Sequence, residues 1–113
     1  MIPSAGQGII AIQCRKKDKT ITKVLKKINH KPTFYLGQAE RSVLKVLDGD
    51  CETAVGVSAE IKKKQIFIEA ELFSLNGKKR FYEKAKSSLN SSIKTAIKIG
   101  ERLKKKSKNL YKK

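Results

Sequence analysis

The sequence predicts an α+β fold, a three-stranded antiparallel sheet with helices packed on one face. Two observations carry that expectation. From Ala54 to about Ala85, apolar residues alternate with polar ones, and the tight-turn dipeptide Asn76-Gly77 interrupts the alternation. On either side of this stretch the apolar residues recur every three or four positions, the spacing of an amphipathic helix.

The sheet begins with Val55, Val57, Ala59 and Ile61, which alternate with Gly56, Ser58 and Glu60 as in a half-buried strand. Gln65 to Leu75 forms the second strand, with Ile66, Ile68, Ala70 and Leu72 on one face. Asn76-Gly77 turns the chain, and Lys79 to about Ala85 returns as the third. Upstream, Asp18 is placed as an N-cap before Ile21, Val24, Leu25 and Ile28, a helix ending near Asn29. Pro32 suits the first turn of a second helix reaching about Leu47, with Leu36, Ala39, Val43, Leu44 and Leu47 inward. Asp48-Gly49-Asp50 ends that helix and leaves Cys51 on a loop. Ser87 or Ser88 caps a final helix with Ile93, Ala96, Ile97, Gly100 and Leu103 inward. The basic tail from about Lys104 to Lys113 is expected to fray, because its charges repel.

The first residues fit this plan poorly. Pro3 to Gly8 is turn-forming, and Gly8-Ile9-Ile10-Ala11-Ile12 reads as a strand buried on both faces, running to about residue 14. Nothing immediately after it offers a partner. The expected result is an orphan strand, which is odd for the start of a self-contained domain. A chain of 113 residues otherwise suits one small domain. It buries roughly two-thirds of its unfolded surface, enough for one modest core. Aromatic residues are only 6% and Trp is absent, so Ile, Leu and Val must build that core.

The net charge of +17, from 27 Lys and Arg against 10 Asp and Glu, invites a polyanion as partner. Its composition argues otherwise. Only Arg15, Arg41, Arg80 and Arg102 are arginines. Bidentate phosphate and base-edge recognition favours Arg, whereas solvated faces tolerate Lys freely. A small basic nucleic-acid-binding module is therefore the alternative reading, and it would need a positive stripe with interleaved aromatics. Phe67, Phe73, Phe81 and Tyr82 lie on the predicted strands as ordinary sheet residues. Cys14, Cys51 and the single His30 give neither a metal-ligand spacing nor a disulfide framework. The longest apolar stretch is far too short to span a bilayer, and no basic n-region precedes it. The expected location is cytoplasmic, with no membrane partner and no metal.

Two blocks carry a resemblance. The first, Ile2-Pro3-Ser4-Ala5-Gly6-Gln7-Gly8-Ile9-Ile10-Ala11-Ile12-Gln13-Cys14-Arg15, is similar to the P-A-x-G-Q-G-x-x-x-I-E-C-R segment of the hydroxymethylbilane synthases, also called porphobilinogen deaminases. The second, Ala39-Glu40-Arg41, then Leu47-Asp48-Gly49-Asp50-Cys51 and Val55-Gly56, resembles that family's A-E-R, helix, L-x-G-G-C-x-x-P-x-G. Asn29-His30 falls where the family commonly has an Asn-His pair. The chain departs from the pattern twice, with Asp50 for the second Gly and Ala54 for the Pro. If position 50 is left-handed, Asp is among the less costly replacements for Gly. Loss of the Pro is expected to loosen the loop.

The resemblance implies the C-terminal part of a three-domain, monomeric transferase of tetrapyrrole (heme) biosynthesis, with residues 1–16 as the strand that returns to the sheet of the first domain and 17–113 as the cofactor-anchoring domain. Such enzymes join four porphobilinogen molecules head to tail with loss of ammonia and release linear hydroxymethylbilane. The oligopyrrole grows on a dipyrromethane cofactor tied to one cysteine by a thioether, and Cys51 matches that cysteine. A thiolate is a good soft nucleophile toward an electrophilic methylene. The family's catalytic Asp and most of its carboxylate-binding arginines lie in the first two domains, so this chain alone is expected to be inactive. Among its own residues, Gln7 and Gly8 would approach the cofactor by close backbone passage or serve the turn alone. Arg15 would face the pyrrole carboxylates or close a structural salt bridge. Cys14 is expected to pack, Glu40 and Arg41 to hold the domain together, and His30 to sit at a helix end or in solvent.

Overall fold

A computed structural model of the chain describes residues 1–50 and 52–113. Its elements are α1 (Lys19–Ile28), α2 (Lys31–Leu47), β1 (Val55–Lys62), β2 (Gln65–Phe73), β3 (Arg80–Ser88), a 3-10 turn (Leu89–Ser91) and α3 (Ser92–Ser107). The strands form one antiparallel sheet in the order β1-β2-β3. The predicted α+β plan is the observed one.

The register puts Ile66, Ile68, Ala70 and Leu72 of β2 opposite Ile61, Ala59, Val57 and Val55 of β1. These residues face α2 and α3, and the core joins them to Ala39, Val43 and Leu47 of α2 and to Ala96, Ile99 and Leu103 of α3. Helix α2 starts where expected, with Pro32 in its first turn and the His30 ring nitrogen Nδ1 accepting the Thr33 N–H. It ends at Asp48, whose φ of 47° is left-handed. Position 50 has no positive φ among the described residues, so the cost weighed for Asp50 falls two residues earlier instead.

Three expectations need correction. The final helix is not capped by Ser87 or Ser88: β3 runs to Ser88, a 3-10 turn follows, and α3 begins at Ser92. Its buried stripe is Ser92, Ala96, Ile99, Gly100, Leu103 and Ser107, while Ile93 and Ile97 are exposed. The reason is close packing on α2. A Cβ on Gly100 would sit 2.8 Å from the Val46 Cβ, so the line of α3 nearest α2 needs a glycine, and the buried stripe turns toward Ile99 and away from Ile93 and Ile97.

The basic tail does not fray. Tyr111 is 1% exposed, and its hydroxyl donates to the Leu47 carbonyl at 2.8 Å. Leu75 N–H donates to the Leu110 carbonyl at 3.0 Å. One buried aromatic ring and two hydrogen bonds outweigh repulsion between lysines that remain in solvent.

The third correction concerns Cys14, which is exposed rather than packed, with its Sγ 3.7 Å from the Thr22 hydroxyl. Residues 9–15 join no strand, and Ile10 and Ile12 are largely exposed. Helix α1 follows with Asp18 Oδ1 capping the Ile21 N–H at 3.0 Å, yet it buries no residue. Its apolar face of Ile21, Val24 and Ile28 stands in solvent. The radius of gyration, 15.5 Å, exceeds the roughly 13 Å of a compact chain this long, as an extended arm requires.

Candidate functional site

Two places bring together the residues singled out by sequence. The first is a carboxylate junction at Glu40. Glu40 is buried on α2; its Oε1 accepts the Ala59 N–H at 2.9 Å and its Oε2 accepts the Gly6 N–H at 2.7 Å. The Pro3 carbonyl accepts the Val57 N–H at 2.9 Å. The free edge of β1 is thus covered by the N-terminal segment and one carboxylate, which satisfies donors that an edge strand would otherwise expose. Gly56 lies beneath this segment, and a Cβ there would collide with the Ile2 carbonyl.

Beside this junction, Glu71 is 3% exposed on the outer side of the sheet. Its Oε1 accepts the Ile2 N–H at 2.8 Å and its Oε2 accepts Arg80 Nε at 2.7 Å. The Ile2 hydrogen bond, then the Arg80 one, hold its carboxyl below the ordinary value of 4.5 against the opposing effect of burial. Tyr82 donates to Glu69 at 2.7 Å, and that bond raises its hydroxyl pKa.

The second place is the loop after α2. Cys51 itself lies outside the described residues, and its neighbours define the setting. Asp50 Oδ1 accepts the Glu52 N–H at 3.0 Å and the Thr53 hydroxyl at 3.3 Å. The Thr53 N–H donates to the Asp50 carbonyl at 3.1 Å, and the Asp50 N–H donates to the Thr53 hydroxyl at 3.0 Å. The aspartate that replaces the glycine therefore closes the turn around position 51, opposing the loosening expected from Ala54. Asp50 and Glu52 are both exposed.

The tail lies along this loop. Tyr111 binds Leu47, Lys112 Nζ is 3.7 Å from Asp48, and Lys113 pairs with Glu52. Burial, and secondarily the charge of Asp48, push the Tyr111 hydroxyl pKa up. A cavity of about 320 Å³ opens between tail and loop, lined by Asp48, Asp50, Thr53, Leu75, Lys112 and Lys113 among others.

The remaining sequence candidates sit apart from that loop. Gly6 and Gly8 take φ values of 75° and 80°, so the glycines on both sides of Gln7 serve the turn. Gln7 and Gly8 are exposed near Glu40, about 10 Å along α2 from its last residue. Arg15 is exposed and enters no ion pair among the described residues. Glu40 ties elements together as expected, whereas Arg41 is exposed and likewise unpaired among the described residues. It lines instead an apolar groove of about 520 Å³ with Ile9, Ile10, Ile12, Leu25, Ile28 and Phe34. Sequence reasoning missed Tyr111, Lys112 and Lys113. The only signal was a lone aromatic in a run of lysines.

Among the described residues, no group of His, Cys, Asp and Glu is arranged to hold a metal, and no helix is long and apolar enough to cross a membrane.

Comparison with known proteins places these features in context. The family model described as "Porphobilinogen deaminase, C-terminal domain" matches residues 34–109. A porphobilinogen deaminase of Desulforamulus reducens is 32% identical over 102 residues, which cover 90% of this chain and 33% of that protein. One from Syntrophomonas wolfei is 38% identical over 81 residues, 72% of this chain and 26% of the relative. One from Rickettsia bellii is 37% identical over 102 residues, 89% of this chain and 34% of the relative. The chain thus spans about a third of the length of the curated relatives it matches.

Proposed function

The chain belongs to the porphobilinogen deaminase family, and from that membership we propose that it is the part of the enzyme that anchors the dipyrromethane cofactor, through a thioether to Cys51. The whole enzyme would polymerise porphobilinogen to hydroxymethylbilane in heme biosynthesis in the cytoplasm. The observation that carries the reading is the bond from Gly6 to Glu40. It joins the Gly6-Gln7-Gly8 block to the Ala39-Glu40-Arg41 block, two motifs far apart in sequence whose resemblance to this family was independent of any geometry.

The loop suits the attached group. Asp50 and Thr53 are hydrogen-bonded to each other, and Asp50 and Glu52, the neighbours of position 51, are exposed. Lys112 and Lys113 pair with Asp48 and Glu52 at the two ends of this loop and supply the cations that a group bearing carboxylates requires. Bound there, dipyrromethane supplies a fixed primer end on which pyrroles condense. This chain's share of the work is to hold that primer by one covalent bond, next to a turn in which Asp50 accepts the Glu52 and Thr53 N–H groups. Binding and activating porphobilinogen would fall to the first two domains of the same enzyme. Residues 2–6 stay on the edge of β1, and residues 9–15, which join no strand here, would complete the sheet of the first of them, with the apolar groove beside α1 covered in the process. Gln7 and Gly8 would then pass near the cofactor, and Arg15 would face pyrrole carboxylates.

Mass spectrometry tests the reading. Expressed alone, the chain should carry its bare polypeptide mass and consume no porphobilinogen. Co-expressed with the matching first two domains, it should acquire an adduct mapping to Cys51. Cys51→Ala should abolish that adduct and Cys14→Ala should leave it. An adduct on Cys14, or porphobilinogen consumption by the isolated chain above a heat-killed control, would overturn the assignment.

A further inference from the structure

We propose that Lys112 and Lys113 form a carboxylate-binding subsite for the group attached at Cys51, with Tyr111 as the anchor that positions them. The inference rests on the cofactor-anchoring reading of Cys51.

The loop by itself is a poor host for a polycarboxylate. Asp48, Asp50 and Glu52 place three acidic side chains within four residues of one another, around the very position that would bear the group. Like charges at such spacing repel an anionic ligand. No lysine or arginine lies between Val46 and Ile61 to compensate. The only cations paired with this loop among the described residues come from the tail, Lys112 at Asp48 and Lys113 at Glu52. They engage the acidic residues at both ends of the loop.

Anchor and cations differ in strength. Tyr111 is buried and caps the last carbonyl of α2, an acceptor that the helix leaves unpaired. The two ion pairs, by contrast, are loose or solvated: the Lys113 and Glu52 side chains are 70% and 60% exposed, and Lys112, 32% exposed, stands 3.7 Å from an Asp48 that is 86% exposed. Exposed pairs of this kind contribute little to stability. Exchanging a loop carboxylate for a ligand carboxylate therefore costs little, while Tyr111 keeps both ammonium groups at the cavity beside Asp50 and Thr53. A buried, bidentate pair could not be exchanged in this way.

The test reads charge at Cys51 directly, without turnover. In a Cys14→Ser background, Cys51 is alkylated with iodoacetate, a small carboxylate, and in parallel with neutral iodoacetamide. The ratio of the two rates isolates the local field from thiol reactivity. Lys112→Gln/Lys113→Gln should lower the ratio roughly three- to fivefold at low salt, and added salt should erase the difference. Lys104→Gln/Lys105→Gln, the same charge change on exposed positions of α3, should leave it nearly unchanged. Tyr111→Phe should lower the ratio as the tail lysines do. An equal ratio in the tail and α3 variants would overturn the subsite. That result together with a cofactor adduct on Cys51 would sink the subsite alone; absence of the adduct would sink the anchoring reading whatever the ratio.

Discussion

The Gly6 N–H lies 2.7 Å from the Glu40 Oε2, and the other oxygen of the same carboxylate holds Ala59 on the edge of β1. Two backbone donors thus depend on one side chain that has two acceptor oxygens. Glu40→Gln keeps the shape but turns an amide NH2 toward one of those donors. The expected loss is about 1–3 kcal/mol in urea unfolding, since a partly buried donor is left without a partner. Amide exchange should rise at Gly6 or Ala59; unchanged protection at both would contradict this account.

Gly56→Ala probes the same edge from below. The new methyl meets the Ile2 backbone, which must lift away. Overpacking of this kind costs about 1–3 kcal/mol. The Val57 amide should lose protection because Pro3 no longer accepts from it. A variant as stable as the parent, with Val57 still protected, would show that the segment yields freely.

Glu71 makes stability fall in acid. Its carboxyl is held below 4.5 in the fold, so the unfolded chain takes up a proton first as pH drops. Its contribution is complete above that ordinary value and is lost as pH falls through the folded one. Urea midpoints between about pH 5 and pH 3 should therefore decline less steeply in Glu71→Gln, which should also be the less stable protein at neutral pH. Parallel declines would assign the acid sensitivity to other carboxylates.

The extent to which the sequence foretold this molecule follows from how many forces act on each residue. In β2 the burial alternates as the sequence does, because Ile66, Ile68, Ala70 and Leu72 have only the two sides of a sheet to choose between. In α3 the stripe was misjudged by part of a turn, because Ile93 and Ile97 look more apolar than Ser92 and Ser107. Close approach of α2 decided that case, and nothing local announces it. The tail was misjudged because its charge was weighed and its single tyrosine was not. Of the candidate site, Cys51 and the loop around it were legible through a motif. The lysines that border it were not, since their pairing spans some 60 residues of sequence.

Tyr111→Phe removes one hydroxyl from a buried ring and leaves the Leu47 carbonyl short of a partner. The expected cost is about 1–2 kcal/mol. In a domain of this size that lowers the melting temperature by roughly 4–12 °C. Exchange should quicken at Leu75, whose N–H binds the neighbouring Leu110 carbonyl. A melting temperature within one degree of the parent would show that the tail is not an anchor.

The outer face of the sheet interleaves Glu60, Glu69 and Glu71 with Lys62, Lys84, Lys86 and Arg80. Such a mixed surface offers no continuous positive stripe to a phosphate backbone. Labelled single- and double-stranded DNA should bind weakly, with affinity falling steeply as salt rises. Tight binding that survives physiological salt would favour the nucleic-acid reading instead.

Tyr111 follows Leu47 by 64 residues, and this separation has a consequence in time. At 5–20 residues per second, a ribosome needs roughly 3 to 13 s to make the chain between them. During those seconds the turn at Asp50 exists without its clamp, however well the hairpin beneath it has folded. A nascent chain stalled before Leu110 should accordingly show faster amide exchange at residues 48–53 than the released protein. The clamp on Asp48 and Glu52 therefore closes only after synthesis has passed the tail.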